Sequence, residues 1–332
     1  MEDGFPLGAL VRIPAAVMVD RARQRTFLFA EPEYAECLAN LRADLESAPP
    51  ARDDRMVQVD GLTEEDADLF LDGVSRIKDY IREGDVFQVN LARRWQGKLC
   101  SGSAAQLYAR LRRSNPAPFG GIADFGRHKI VSSSPERLVQ VRGDGLIETR
   151  PIAGTHPRSG DPREDEKLRR ALMNSPKERA EHIMLIDLER NDLGRICQPG
   201  SVEVDELMAV RSYAHVHHIE SNVRGRLRAA VTPGEVLSAL FPGGTITGCP
   251  KVRTMQIIRE LEASPRFAYT GSMGYLNRDG SMDMNILIRT FMLSDTELSF
   301  KAGAGIVADS DPARELDETR AKAKGLLKAL ET

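Results

Sequence analysis

Two stretches of this sequence place carboxylates one helical turn apart on a single face. Ser175-Pro176-Lys177-Glu178 has the form of a capping box with proline at the first helical position, and Glu181 follows Glu178 by three residues. Asp311-Pro312 opens a second helical stretch on which Glu315, Glu318 and Lys322 fall at i, i+3 and i+7. Carboxylate oxygens are hard ligands, and a few of them with water and ligand oxygens suit Mg²⁺. Each face taken singly reads first as a solvated helix surface. Three further segments suit an anionic small molecule. TRPIAGTHPR, from Thr149 to Arg158, combines a glycine turn at Gly154, the Thr155 hydroxyl, two arginines and His156. FPGGTITGCPK, from Phe241 to Lys251, is a glycine-rich loop containing Thr245 that leads into a helix. It lacks the G-x-x-x-x-G-K-[ST] spacing of a phosphate loop, but its N–H groups suit a carboxylate. Gly303-Ala304-Gly305 is a second such loop after a strand. Arg289, in NILIRT, stands among apolar residues and needs an anionic partner, either a ligand carboxylate or a structural ion pair. His215, His217 and His218 lie together but have no distant ligand at zinc-site spacing.

The chain has 332 residues, 41% hydrophobic and 29% charged, enough for one large domain or two packed ones. Its formal charge of -3 gives no support for a nucleic-acid or membrane-surface partner. No apolar run reaches the ~18 residues of a membrane span. The acidic start, MEDGFPLGAL, lacks a signal pattern, and Cys37, Cys100, Cys197 and Cys249 are scattered as reduced thiols of a cytoplasmic protein would be.

Residues 7 to 30 read as two strands around a charged turn, followed by a helix from Pro32 to Ser47. APPARDDR, from Ala48 to Arg55, reads as a linker that sets off residues 1–55, a short segment completing the sheet core, from a catalytic domain over 56–332. A helix is expected from Thr63 to Arg82, stopped by Gly84. Asp85 to Trp95 alternates as a strand with Gln88 and Asn90 on one face. Residues 121–150 and 269–309 read as hairpins, and helices are expected near 163–194, 233–240, 250–262 and 312–331. Close hairpins argue for antiparallel sheets, so the class is α+β.

Taken in order, the motifs SSSPERL, RPIAGT, EHIMLIDLERNDLGR, FPGGTITGCPK, GSMGYL, MDMNILIRT, GAGIV and ELDETRAKA closely resemble those of the chorismate-utilising enzymes. That family includes component I of aminodeoxychorismate and anthranilate synthases and the isochorismate and salicylate synthases. The resemblance runs from about Leu62 to the C-terminus. It implies large antiparallel sheets packed as a sandwich with flanking helices, and Mg²⁺-dependent chemistry on chorismate.

By resemblance, Glu181 and Glu318 would hold Mg²⁺, with Glu178 and Glu315 close by. Arg289, Tyr269, Gly303, Gly305 and Lys322 would grip a carboxylate or complete the site, with Gly154 and Thr155 beside them. Thr245 would contact the ring, His218 would lie beneath it, and Glu136 would be the general acid for the leaving C4 hydroxyl. Gln88 stands where water-using relatives carry a lysine base. A carboxamide cannot act as a base, which implies ammonia as nucleophile and a glutamine amidotransferase partner. Ala153 stands where many aminodeoxychorismate synthases have a nucleophilic lysine, and PIAGT is typical of anthranilate synthases. GSMGYL and MDMNILIRT resemble the aminodeoxychorismate branch, some of whose members carry alanine. The resemblance is therefore taken to imply amination to 4-amino-4-deoxychorismate for p-aminobenzoate and folate synthesis. Anthranilate formation is the alternative, and a non-catalytic chorismate-binding protein the remaining one.

Overall fold

The structure is a computed structural model that describes residues 5–48, 57–212 and 216–331, the side chains of 155–157, 177 and 216 excepted. Most of the expected linker, His215, and the side chains of Thr155 and His156 lie outside the described residues. Two compact units divide between Arg55 and Met56.

In the first unit, β1 (Ala15–Asp20) and β2 (Arg25–Ala30) form an antiparallel hairpin, from Ala15 opposite Ala30 to Asp20 opposite Arg25. The helix expected from Pro32 begins instead as a 3₁₀ turn over Pro32–Tyr34, because the Ala35 N–H reaches back three residues to Pro32 O. The α-helix proper, α1, spans Cys37–Ser47.

The second unit opens with β3 (Gln58–Glu64). Thr63, expected to start a helix, lies in this strand opposite Gln96, where its β-branched side chain suits a pleat. Asp66 takes the capping role, accepting the Asp68 N–H at 3.0 Å ahead of α2 (Ala67–Arg82). Gly84, at φ +84°, ends the helical segment as expected. The chain continues through β4 (Gln88–Ser101), α3 (Ala104–Ser114), β5 (Phe119–Phe125), β6 (His128–Ser134), β7 (Arg137–Val141), β8 (Leu146–Thr149) and β9 (Ile152–Pro157). Helices α4 (Pro162–Asn174) and α5 (Pro176–Gly194) break at Ser175, whose Oγ accepts the Glu178 N–H at 3.3 Å. Then come β10 (Glu203–Ser212), β11 (Val216–Arg226), α6 (Pro233–Leu240), β12 (Gly248–Cys249) and α7 (Lys251–Leu261). The last elements are β13 (Gly274–Leu276), β14 (Met282–Asn285), β15 (Thr290–Ser294), β16 (Glu297–Ile306) and α8 (Pro312–Leu330). The sequence expectation does not include α3, β10 or β11.

Two seven-stranded antiparallel sheets result, as the hairpin pattern predicted. One runs β12-β4-β16-β15-β6-β5 with β3 paired to β4, and the other β10-β11-β8-β7-β14-β13 with β9 paired to β11. Each sheet has its own helical cover. Trp95, Val131, Phe291 and Phe300 of the first pack with Leu107 and Leu111 of α3 and Leu326 of α8. Leu138, Ile147, Val223 and Met282 of the second pack with Ile186 and Leu193 of α5 and Val236 and Leu240 of α6. A third cluster sets Phe70, Val74 and Ile77 of α2 against Val89, Leu91 and Ile306. Burial on this scale contributes ~25 cal/mol per Å² of apolar surface removed from water.

The sequence pattern did not reveal how the hairpins are shared out. β6 belongs to one sheet and β7 to the other, so the chain crosses between sheets at Pro135-Glu136. It crosses back between β14 and β15, over residues 286 to 289. The two connectors are adjacent, since the Ile286 N–H donates to Glu136 O at 3.0 Å and the Ser133 N–H to Arg289 O at 3.1 Å.

Candidate active site

Glu136 and Arg289 therefore stand at the seam between the sheets because their connectors do. Arg289 has φ +51°, a left-handed conformation that a non-glycine residue holds only where its surroundings enforce it. Between the connectors lies a cavity of about 110 Å³, whose lining includes Glu136, His218, Thr245, Tyr269, Arg289, Gly303 and Lys322. Residues far apart in sequence and named above on separate motifs thus share one chamber. Asn90, Ile152, Ile288 and Lys301 complete much of its wall.

The electrostatics suit acid chemistry. Glu136 is 5% exposed, and burial pushes its carboxyl up to about 7. The Thr245 hydroxyl, the Ile152 N–H (3.5 Å from Oε1) and the charges of Arg289 and Lys322 oppose that rise without cancelling it. A carboxyl in this range can hold its proton near neutral pH and release it to a leaving group. Burial lowers His218 to about 3, helped by the positive charges of Arg289 and Lys322, so its ring is neutral. Its Nδ1–H donates to the Gly154 carbonyl at 3.2 Å, which ties the chamber to β9.

Beneath this chamber is a buried ionic support that the motifs did not announce. Glu262 accepts from Arg266 through both carboxylate oxygens, from Lys301 Nζ at 3.1 Å and from the Ala92 N–H at 3.1 Å. Arg266 also donates to Ile246 O at 2.8 Å and to Asn90 O at 2.7 Å, with its guanidinium 5.6 Å from the Tyr269 ring centroid. One guanidinium thus fixes β4, the Thr245 turn and Tyr269 together. Lys301, alone among apolar residues in SFKAGAG, was the visible signal for this support.

A second carboxyl, Glu189, lies behind Thr245. It is 4% exposed and sits against the Gly244 backbone. Burial and the nearby Asp192 push it up to about 7, against Lys251 and the Gly244 N–H, and Glu136 also bears on it electrostatically. Asp192 is itself held by Lys251 Nζ at 2.5 Å.

The remaining expected residues lie around the chamber. Ala153 is on β9 opposite Ile219, and Thr155 pairs with His218 through the same ladder. Gly154, at φ +67°, meets the Glu178 carboxylate, and a Cβ there would lie 2.8 Å from Oε2. Gln88 is buried against Gly305. Glu181 is half-buried on α5, and Glu315 is buried on α8. Glu318 pairs with Lys322 at 2.6 Å, and Lys322 also donates to Gly303 O at 3.0 Å.

Among the described residues, no three His, Cys, Asp or Glu side chains gather as a protein-only metal cage would require. The side chains with hard oxygen donors are Glu178 and Glu181 on α5 and Glu315 and Glu318 on α8, and a Cβ at Gly154 would crowd the Glu178 carboxylate. A larger cavity, about 510 Å³, lies across Arg266 and Thr270, lined by Met255, Ile258 and Pro265 among others. Its one carboxylate, Glu262, is already saturated by cations, so the smaller chamber is the chemical one.

A profile of the chorismate binding enzyme family matches residues 1–328. The chain belongs to that family. Among curated relatives, it is 49% identical over 262 residues to an anthranilate synthase component 1 of Aquifex aeolicus, covering 79% of this chain and 53% of that one. To an aminodeoxychorismate synthase component 1 of Bacillus subtilis it is 48% identical over 264 residues, covering 80% and 56%. The chain spans about half the length of these curated relatives. The crystal structure of anthranilate synthase component I from Streptococcus pneumoniae superposes with a TM-score of 0.84 at 35% identity, over 94% of this chain and 72% of that one. Members named for different products of chorismate thus match this family member about equally well. No helix among the described residues is long and apolar enough to cross a membrane.

Proposed function

We propose that this chain aminates chorismate to 4-amino-4-deoxychorismate, as component I of an aminodeoxychorismate synthase. The observation behind the reading is Glu136: a buried carboxyl, raised to about 7, in a chamber that also presents Arg289 and Lys322. The two cations suit the carboxylates of the substrate, and Glu136 delivers its proton to the departing C4 hydroxyl. Neutral His218 lies against the ring without adding charge. Thr245 lines the same chamber as Glu136, and the Glu262–Arg266–Lys301 support holds the wall rigid.

Gln88 supplies no base, so the nucleophile is ammonia, supplied by a glutamine amidotransferase subunit. When bound, Mg²⁺ held by Glu181 and Glu318, with Glu178 and Glu315 nearby, would neutralise a substrate carboxylate as a Lewis acid. Ala153 can neither form a covalent adduct nor donate a hydrogen bond, so the reading includes a noncovalent intermediate. The same methyl group favours a second reading, anthranilate formation, since PIAGT is shared with that branch. The GSMGYL and MDMNILIRT motifs favour the first.

Product identification separates them. Purified protein with chorismate, Mg²⁺ and an ammonium salt should give 4-amino-4-deoxychorismate by mass spectrometry, convertible to p-aminobenzoate by an added lyase. Fluorescent anthranilate as the main product replaces the first reading with the second. Chorismate that is bound but never consumed overturns both.

A further inference from the structure

On a strand, residues two apart share a face, and on β4 that places Gln88 and Asn90 side by side. Opposite them, β16 has Gly303 and Gly305. An added Cβ at Gly303 would lie 2.6 Å from Asn90 Oδ1, and one at Gly305 would run into Gln88 Nε2. The glycines thus leave the room that the two carboxamides fill. Both side chains are more than nine-tenths buried. Asn90 Nδ2 points at Thr245 O, 3.5 Å away, which orients its carbonyl the other way. Asn90 Oδ1 and Gln88 Oε1 then accept no hydrogen bond among the described residues. A buried carbonyl left unsatisfied is destabilising, so two on one strand face call for a ligand with N–H or O–H groups. Asn90 lines the chamber that holds Glu136.

We propose that Asn90 Oδ1 and Gln88 Oε1 form an acceptor pair that binds ammonia beside the chorismate chamber. The inference rests on the reading of this chain as an ammonia-using enzyme and adds a site and a residue, Asn90, to it. Ammonia brings three N–H groups and one lone pair. Two carbonyls take two of the N–H groups and leave the lone pair free for the substrate. Carboxamides suit this better than carboxylates, whose charge would favour ammonium, the form with no lone pair.

The test is steady-state kinetics of the whole chain with ammonium chloride as nitrogen source. Chorismate consumption is followed at fixed pH and Mg²⁺, varying ammonium at saturating chorismate and then the reverse. Asn90→Val should raise the KM for ammonia roughly two- to tenfold, the loss expected for one hydrogen bond of about 0.5–1.5 kcal/mol. Its KM for chorismate should stay within about twofold, a split that general loosening of the wall would not give. Asn90→Ser, smaller and polar, is measured in the same way if the valine variant does not fold. An unchanged KM for ammonia, as an ordinary buried water would predict, or a parallel rise in both constants, overturns the ammonia site. If the wild-type chain consumes no chorismate with ammonium, it is the proposed function that fails, whatever the variants do.

Discussion

The Glu136 carbonyl accepts the Ile286 N–H at 3.0 Å and the Arg289 carbonyl accepts the Ser133 N–H at 3.1 Å, so the connectors bearing the acid and the guanidinium are bonded to each other. Ser134 Oγ adds a third tie, donating to Ile286 O at 2.5 Å. The placement of the two connectors relative to each other is set by main-chain bonds, which is the preorganisation that electrostatic catalysis requires.

Glu136→Gln should lower turnover of chorismate by about 10²–10⁴-fold, the usual contribution of a general acid, with little change in KM. In the wild type the protonated form is the active one. Activity compared at constant free ammonia should therefore fall as pH rises through about 7. A rate that climbs steadily through that range would sink the assignment of Glu136 as acid.

Glu189→Gln tests the carboxyl behind Thr245. Its neutral form is favoured in the fold, so the associated stability is full at low pH and is lost as pH rises through about 7. The glutamine variant should melt higher than wild type at pH 8 and close to it at pH 5. Removing the charge that bears on Glu136 should also move the activity limb to lower pH. Asp192 and Lys251 stay in place as the other charged neighbours. Identical melting curves at both pH values would contradict the account.

The two glycines of β16 should differ. At Gly303 an added methyl meets the Leu91 carbonyl at 2.8 Å as well as Asn90, and backbone cannot step aside. Gly303→Ala should cost about 1–3 kcal/mol of stability and most of the activity. At Gly305 the obstacle is the end of the Gln88 side chain, so Gly305→Ala should keep its stability and lose activity. Denaturant melts with paired rate measurements decide, and equal losses of stability would be the wrong outcome.

Glu181→Gln and Glu318→Gln should each raise the Mg²⁺ concentration for half-maximal rate by about tenfold or more, without lowering the melting temperature. Near-normal turnover at limiting Mg²⁺ in either variant would remove that residue from the ligand set.

Much of the chamber was legible in the sequence because its residues sit in distinctive local contexts: an acid in SSSPER, an arginine among apolar residues in NILIRT, glycines in GAGIV. The secondary structure of the last two was not: Arg289 lies in a connector between β14 and β15, and Gly303 and Gly305, expected as a loop after a strand, lie within β16, because two glycines opposite β4 make room for its side chains without ending the ladder. The antiparallel sheets were legible from close hairpins. The division of consecutive hairpins between two sheets was not, since strand partnership depends on tertiary packing rather than on local pattern. That is why the nearness of Glu136 and Arg289 could not be derived from periodicity. Thr63 misled because threonine suits both a cap and a pleat, and Asp66 was the better cap. Glu189 was hidden within an apolar helical run, and Asn90 was visible only as a polar residue on an alternating strand.

Lys322 lies where the second helix of carboxylates meets the chamber wall. Its ammonium is shared between the Glu318 carboxylate and the Gly303 carbonyl at the chamber wall. Any cation that takes Glu318 competes with Lys322 for it, and a displaced Lys322 is then available to an anion in the chamber. In the proposed reaction, metal and substrate would therefore recruit one another: each raises the other's affinity by the same factor, as reciprocal linkage demands. The pair would behave as an exchange switch that discourages either from occupying the protein alone.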